Sequence, residues 1–263
     1  MKNILKTYLY YLIMLVIVGI VLLGLYFTYV WNQDQPQNHD QSQHQDQSHN
    51  QDQSQNQDKY QNFSQLKSDT EKNSDWQRNI KKTNNKDILI TAIHGGGIEP
   101  GTSELAKIIS KKGDFNLYSF EGLLKSNNKQ LHITSTRFDD SKLKEMSNKS
   151  KESISIHGFQ SDENAVYIGG RDKKMADSIK KELEKEGFNV EESPNRIDGS
   201  SNNNFINKND SGSGVQLEIS TSIRKSFFKK DNLDRKTREN TSKYRQSIYD
   251  FAEAVTKGIH SQT

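Results

Sequence analysis

The 263-residue chain contains no cysteine. This absence excludes disulfide bonds, a thiol nucleophile, thiolate metal ligands and a lipid-modified cysteine, so any metal site must use nitrogen and oxygen ligands. Hydrophobic residues are also scarce, at 31% of the chain, and they are unevenly distributed. The length is nevertheless sufficient for one domain of about 200 residues with additional segments.

Basic residues are missing between Lys6 and Lys59. Within this gap, residues 8–30 form an almost uninterrupted apolar run of 23 residues, and about 20 are needed to cross a bilayer as a helix. Because Lys2 and Lys6 precede the run, the positive-inside rule predicts a cytoplasmic amino terminus and an extracellular remainder. A cleaved signal peptide is the alternative, although the end of the run offers no clear small-residue cleavage site. We predict a single-pass membrane anchor within residues 1–31.

Residues 32–59 are predicted to be a disordered linker. The segment consists mainly of Gln, Asp, Ser, His and Asn, and an aspartate recurs every six residues, at Asp34, Asp40, Asp46, Asp52 and Asp58. Such a composition cannot bury enough apolar surface to offset the entropy of the chain. A flexible coil of this length spans on the order of 30 Å, which would keep residues 60–263 close to the outer face of the membrane.

Strands and helices alternate from about residue 87 onward, and this alternation predicts an α/β domain. Apolar or alternating segments predict strands at residues 87–93, 115–120, 131–136, 152–158, 165–168, 189–191 and 215–220. Helices are predicted near residues 102–109, 141–148, 172–186 and 235–259. We therefore expect residues 60–263 to form one domain with a mixed, mostly parallel sheet that is flanked by helices.

A glycine-rich turn follows the first of these strands and reads AIHGGGIEPGTSE, residues 92–104. Its glycines allow the backbone to fold tightly enough for His94 and Glu99 to converge on one point. Thr102 or Ser103 is expected to cap the helix that follows. Open α/β sheets bind ligands at the carboxyl ends of their strands, which is where this turn lies. A metal ion is the most economical occupant of that point.

A second strand also ends in a His-Gly pair, at His157, and a third strand carries Glu218 on the face opposite its aliphatic residues. Two imidazoles and one carboxylate are the ligand set of hydrolytic zinc sites, which keep a fourth position for water. Zinc lowers the pKa of this water towards about 7 and polarises the scissile carbonyl. We assign His94, Glu99 and His157 as ligands of Zn²⁺ and Glu218 as the general base.

Each assigned residue also has a structural interpretation. A histidine at the end of a strand is often only hydrogen-bonded within the fold. Glu99 could simply favour the following helix by its charge, and Glu104 would do so equally well. Glu218 could face solvent. The shared strand-His-Gly context of the two histidines favours the metal site.

Four stretches occur together and resemble the phage-type poly-γ-glutamate hydrolases. They are AIHGGGIEPGTSE at residues 92–104, SIHG at 155–158, VYIGGR at 166–171 and GVQLEIS at 214–220. The resemblance covers roughly residues 86–228 and implies a zinc enzyme whose fold is related to the zinc carboxypeptidases. It implies the same three zinc ligands and the same catalytic carboxylate, and it implies cleavage of γ-glutamyl amide bonds inside a polyglutamate chain.

Two positions depart from the family pattern. Arg137 stands where a histidine is usual, and Asn207-Lys208 stands where an Asn-Arg pair is expected. Lysine keeps the charge but loses the planar fork that grips a carboxylate at two points. The substrate is a polyanion, and residues 60–263 carry 34 basic against 29 acidic residues, so cationic side chains should attract it. Arg171, Asn207 and Lys208 are the candidate substrate-binding residues.

The sequence thus predicts a membrane-anchored, extracellular zinc hydrolase that cleaves poly-γ-glutamate with a metal-bound water as nucleophile. One alternative is a zinc amidase or peptidase that acts on peptidoglycan stem peptides, which also contain a γ-linked glutamate. Another is a non-catalytic surface protein that binds the polymer on the same fold. Nucleic acid is not an expected partner, because no recognised reader motif is present.

Overall fold

A computed structural model describes residues 58–263. The predicted anchor at residues 8–30, and residues 32–57 of the predicted linker, lie outside the described residues. Within residues 58–263, no helix combines the length and the apolar character that a bilayer-spanning segment needs.

The described part of the chain contains one sheet, whose strands are β1 (Trp76–Lys81), β2 (Asn85–Gly96), β3 (Phe115–Gly122), β4 (Glu152–Phe159), β5 (Val166–Gly170), β6 (Val190–Glu192) and β7 (Val215–Ser220). The α-helices are α1 (Phe63–Asp69), α2 (Thr102–Lys112), α3 (Ser141–Ser147), α4 (Lys173–Lys185), α5 (Thr221–Ser226), α6 (Arg235–Arg238) and α7 (Gln246–His260). Short 3₁₀ turns occur at Asn128–Leu131, Ser135–Arg137, Asn195–Ile197, Phe205–Lys208, Lys229–Asp231 and Thr241–Lys243.

The strands are ordered β1-β3-β2-β4-β7-β5-β6 across the sheet. The four strands β3, β2, β4 and β7 are mutually parallel, whereas β1 and β5 run antiparallel to their inner neighbours. This arrangement confirms the predicted mixed, mostly parallel sheet. Because β2, β4 and β7 share one direction, their carboxyl ends meet at the same edge of the sheet.

Both faces of the sheet are covered, and β2 therefore reads as a nearly continuous apolar run. Ile88, Ile90 and Ala92 belong to a core cluster that includes residues of α2, α4 and α7. Leu89 and Ile93 belong to a second, aromatic cluster on the other face. The aromatic side chains of this second cluster are Tyr60, Phe63, Trp76, Tyr118, Phe120, Phe138 and Phe205.

The strand predicted at residues 131–136 is wrong, because this segment lies between two 3₁₀ turns. Its backbone groups bond to side chains instead of to a neighbouring strand. The Thr134 N–H donates to Asp58 Oδ2 at 2.7 Å, and the Ile133 carbonyl accepts from His94 Nε2 at 2.9 Å. A segment whose backbone polar groups are satisfied in this way gains nothing from joining the sheet.

Two further local predictions require correction. The helix predicted over residues 235–259 is broken into α6, a 3₁₀ turn and α7, because the Asn240 side chain accepts hydrogen bonds from the Ser242 N–H and hydroxyl. The N-cap of α2 is Gly101, at φ +101° and without a side-chain cap. Thr102 is the first residue of α2, and its hydroxyl donates to the Glu99 carbonyl at 2.9 Å.

Candidate metal centre

The three residues assigned as metal ligands converge at the carboxyl edge of the sheet. His94 Nδ1 lies 2.9 Å from Glu99 Oε1 and 3.0 Å from His157 Nδ1. His157 Nδ1 lies 3.7 Å from Glu99 Oε2. A tetrahedral zinc site with bonds of about 2.0–2.1 Å has ligand-to-ligand separations of about 3.3 Å. The two imidazole nitrogens and the two oxygens of the Glu99 carboxylate are therefore spaced as a single small cation requires.

The other polar atoms of these side chains have protein partners that orient them. His94 Nε2 lies 2.9 Å from the Ile133 carbonyl, which can only accept, so Nε2 carries the proton and Nδ1 keeps its lone pair. His157 Nε2 lies 2.8 Å from Ser155 Oγ. The Gly158 N–H donates to Glu99 Oε2 at 2.8 Å. Such outer contacts are typical of metal ligands, because they fix the tautomer and the direction of the ring.

The donor atoms of the centre also suit a cation. Burial raises the pKa of Glu99, but the charges and hydrogen bonds of His94 and His157 outweigh this effect and hold the pKa well below its usual value. Glu99 is therefore ionised. Both histidines are almost completely buried, at 3% and 2% exposed. A buried carboxylate that faces two imidazole nitrogens has the nitrogen and oxygen donors that zinc accepts.

A third imidazole stands at the same place and was not assigned from the sequence. His94, Glu99 and His132 each offer one ligand atom, and these three atoms lie within 4.8 Å of one another. The His132 ring packs on the His94 ring with centroids 4.0 Å apart. His132 was not assigned because its segment was interpreted as a strand. The sequence signal was a histidine beside the apolar Ile133 in a region that is otherwise polar.

Glu218 is buried beside the centre, which excludes the alternative that it faces solvent. It is 7% exposed and pairs with His157 in the register of β4 and β7. Gln216 Nε2 donates to Glu218 Oε1 at 3.0 Å. Burial, followed by the nearby charge of Glu99, raises the pKa of Glu218 well above its usual value, while Gln216, His132 and Arg224 oppose the shift.

Arg224 joins the three chain segments that carry the site. Its Nε donates to the Ile219 carbonyl at 3.0 Å, and its terminal nitrogens donate to the Pro100 carbonyl at 2.8 Å and to the Phe159 carbonyl at 3.0 Å. A further bond reaches the Thr221 hydroxyl at 3.1 Å. One guanidinium thus ties the glycine-rich turn to the ends of β4 and β7.

Arg171 is not brought to this edge of the sheet. It follows Gly170, which pairs with Val215 at the amino end of β7. Glu218 lies three positions after Val215, or roughly 10 Å along the strand. The Arg171 side chain is exposed and donates to Asn202 Oδ1 in the long loop. Its role in substrate binding stays a prediction.

Asn207 organises the long loop between β6 and β7. Its side-chain nitrogen donates to the carbonyls of Gly199 at 2.8 Å and Ser201 at 2.9 Å, and its side-chain oxygen accepts from the Gly214 N–H at 3.0 Å. Lys208 is exposed. The Asn207 amide is thus buried and bonded within the loop, whereas the neighbouring Lys208 side chain is exposed. Contact of either side chain with substrate stays a prediction.

A family model described as poly-gamma-glutamate hydrolase matches residues 60–254. The chain belongs to this family. The match confirms the resemblance seen in the four sequence stretches, and it includes every residue assigned to the site.

Two similar proteins come from Bacillus subtilis strain 168. The SPbeta prophage-derived protein YoqZ is 40% identical over 185 residues, which are 69% of this chain and 65% of YoqZ. YndL is 38% identical over 181 residues, which are 67% of this chain and 68% of YndL. The chain therefore spans slightly less than two thirds of the length of YoqZ.

Two solved structures share the fold. A bacteriophage poly-gamma-glutamate hydrolase superimposes with a TM-score of 0.75 at 31% identity, covering 78% of this chain and 98% of that one. A structure of YndL described as apo and zinc-free superimposes with a TM-score of 0.73 at 35% identity, covering 78% of this chain and 99% of that one.

Proposed function

We propose that this protein is a zinc-dependent hydrolase that cleaves γ-glutamyl amide bonds of poly-γ-glutamate. The observation that carries the proposal is the convergence of His94 Nδ1, His157 Nδ1 and the Glu99 carboxylate within 2.9–3.7 Å of one another. Membership of the poly-gamma-glutamate hydrolase family supports the substrate class. The zinc-free description of the YndL structure supports zinc as the metal.

In this proposal His94, Glu99 and His157 hold the ion. Bound zinc would polarise the scissile carbonyl and lower the pKa of a coordinated water. Glu218 takes a proton from the attacking water and delivers it to the departing amine. Because Gln216 occupies Oε1, the proton is carried on Oε2. Burial is the largest cause of the raised pKa of Glu218, and it makes the carboxylate a stronger base for this transfer.

The γ-linked polymer carries one free carboxylate per residue, so cations along its path would position it. We propose Lys208 and Arg171 for this role, with Asn207 holding the loop that presents Lys208. The offset of Arg171, roughly 10 Å along the strand from the level of Glu218, suits contact with a residue of the polymer away from the scissile bond.

We further propose the cellular arrangement that the sequence predicts. Residues 1–31 would anchor the protein in the cell membrane, residues 32–57 would act as a flexible tether, and the residues from Asp58 onward would form an extracellular domain with a zinc carboxypeptidase-like fold. Protease treatment of intact cells tests this arrangement. Digestion of the carboxy-terminal domain from outside is expected, and full protection of that domain would contradict it.

Turnover by the full-length protein in detergent tests the activity. Poly-γ-glutamate should be shortened, as seen by size-exclusion chromatography, with one new amine released per cut. Glu218→Gln should lower the rate by at least 100-fold, because the variant cannot accept the proton. Glu163→Gln, at an exposed glutamate, is the matched control and should retain the wild-type rate.

The same assay separates the alternatives. Release of amines from peptidoglycan but not from poly-γ-glutamate would replace the proposed substrate with stem peptides. Binding of poly-γ-glutamate that survives in Glu218→Gln, with no turnover of either polymer by the wild-type protein, would indicate a non-catalytic binding protein.

A further inference from the structure

Asp58 lies at the metal centre although its aspartate repeat belongs to the predicted linker. Its carboxylate is 2.6 Å from His132 Nδ1. It also accepts from the Thr134 N–H at 2.7 Å, from the Thr134 hydroxyl at 2.9 Å and from an Arg137 terminal nitrogen at 2.7 Å. The Asp58 side chain is only 8% exposed. The carboxylate is thus enclosed by four donors.

These contacts fix the state of the carboxylate. The Arg137 guanidinium is permanently charged and lies 2.7 Å from Asp58 Oδ2, so the carboxylate is the ionised partner of a salt bridge. Arg137 also donates to Gln61 Oε1 at 2.7 Å, so its guanidinium links Asp58 to the start of the folded region. The amino-terminal segment is fastened here by side chains from 74 to 79 residues away.

The Asp58 contact determines which nitrogen of His132 faces the centre. An ionised carboxylate can only accept, so His132 Nδ1 must carry a proton. The remaining nitrogen, Nε2, then holds a lone pair in the neutral ring. The grouping of His132 with His94 and Glu99 within 4.8 Å places this ring where it can reach a shared ion. Carboxylate-to-histidine-to-metal chains of this kind recur in metalloproteins, where the carboxylate orients the ligand.

We propose that Asp58 is a positioning residue that holds His132 as a fourth protein ligand of a metal centre that would expand to five-coordinate and so keep a position for water. The inference rests on the proposed zinc site and extends it to a residue outside the matched family region, which begins at residue 60. The last aspartate of the six-residue repeat thereby sets the metal affinity of the domain that follows it.

Zinc affinity tests this inference without relying on turnover. The full-length protein in detergent is stripped of metal, and Zn²⁺ is titrated in competition with a chromogenic chelator. Asp58→Asn should weaken binding about 10- to 100-fold, the usual effect of removing such a partner. Asp69→Asn, at an exposed aspartate in α1, is the matched control and should bind zinc as the wild type does.

A second variant shows whether Asp58 acts through His132. His132→Gln keeps the bonds between Asp58, Thr134 and Arg137, and it should weaken zinc binding at least as much as Asp58→Asn. The double variant should bind no more weakly than His132→Gln alone, because both changes remove one interaction. Bound Co²⁺ gives an independent signature, since its visible absorption spectrum should change in both single variants and not in the control.

The outcomes distinguish the inference from the function on which it rests. Failure of the wild-type protein to bind Zn²⁺ would overturn the proposed zinc site itself. Wild-type binding that is unaltered in Asp58→Asn and His132→Gln would overturn only the role of these two residues. If Asp58→Asn does not fold, His132→Gln decides, and unchanged affinity and Co²⁺ absorption in that variant would refute the inference.

Discussion

Replacing Arg224 by lysine should destabilise the domain severely although the charge is kept. The guanidinium donates to the carbonyls of Ile219, Pro100 and Phe159 and to the Thr221 hydroxyl. A lysine ammonium at the end of a flexible stem cannot span three carbonyls that lie on separate segments. Loss of two of these buried, charge-assisted bonds, at about 1.5–3 kcal/mol each, predicts a loss of about 3–6 kcal/mol in the free energy of unfolding.

Urea unfolding followed by circular dichroism measures this loss, with Arg245→Lys as the matched control. Arg245 pairs with Asp231 at 2.8 Å, and both side chains are largely exposed. Such a surface pair contributes about 0–1 kcal/mol, so the control should stay within about 1 kcal/mol of wild type. A loss below about 1 kcal/mol in Arg224→Lys would refute the argument that this guanidinium joins the three segments.

Two further predictions concern pH and metal. Burial and the adjacent Asp172 raise the pKa of half-buried Glu152 to about 7, so the stability from its bound proton is present below pH 4.5 and lost as the pH rises through about 7. The free energy of unfolding of Glu152→Gln should therefore exceed that of the wild type by about 1 kcal/mol at pH 8, after allowance for solvent screening, and should equal it at pH 4. Urea unfolding at both pH values checks this, and equal effects would contradict it. Zinc at 100 times its dissociation constant should stabilise the wild type by about 2.7 kcal/mol. Scanning fluorimetry should show little of this shift in His157→Ala, and an equal shift in both proteins would contradict ligation by His157.

Much of the fold was predictable because its determinants are local. The repeat of Met175, Ile179 and Leu183 four residues apart predicts α4, and all three side chains are buried. Asp172 caps this helix by accepting from the Met175 N–H at 3.0 Å. Gly187, at φ +84°, follows the helix at the predicted stop. Periodicity and end signals of this kind need no knowledge of the rest of the chain.

The convergence of the residues assigned as ligands was predictable for a different reason. His94 lies near the end of β2 and His157 near the end of β4, and the carboxyl ends of parallel strands share an edge of the sheet. The convergence of the two side chains therefore follows from topology once the strands are recognised. The burial of Glu218 could not be predicted in the same way, because it depends on the loop that brings Asn204 against Gln216 at 3.1 Å.

His132 and Asp58 show where prediction from local pattern fails. The segment around His132 alternates like a strand, but its backbone is held by a carboxylate 76 residues earlier in the chain. No local periodicity encodes a contact of that range. Asp58 in turn belongs to a polar repeat whose composition predicts disorder, and nothing in that composition indicates the donors that surround its carboxylate.

The nearness of two buried carboxylates, Glu99 and Glu218, both destabilises the metal-free centre and bears on its proposed chemistry. Glu99 and Glu218 are both buried, and the negative charge of Glu99 is among the causes of the raised pKa of Glu218. Without a cation this proximity opposes ionisation of Glu218, which destabilises the folded state as the pH rises. A divalent ion held by Glu99 and the histidines would offset that negative charge and favour the Glu218 carboxylate. Metal binding would therefore stabilise the fold and prepare the general base through the same interaction, so the two effects should be lost together when the ligands are removed.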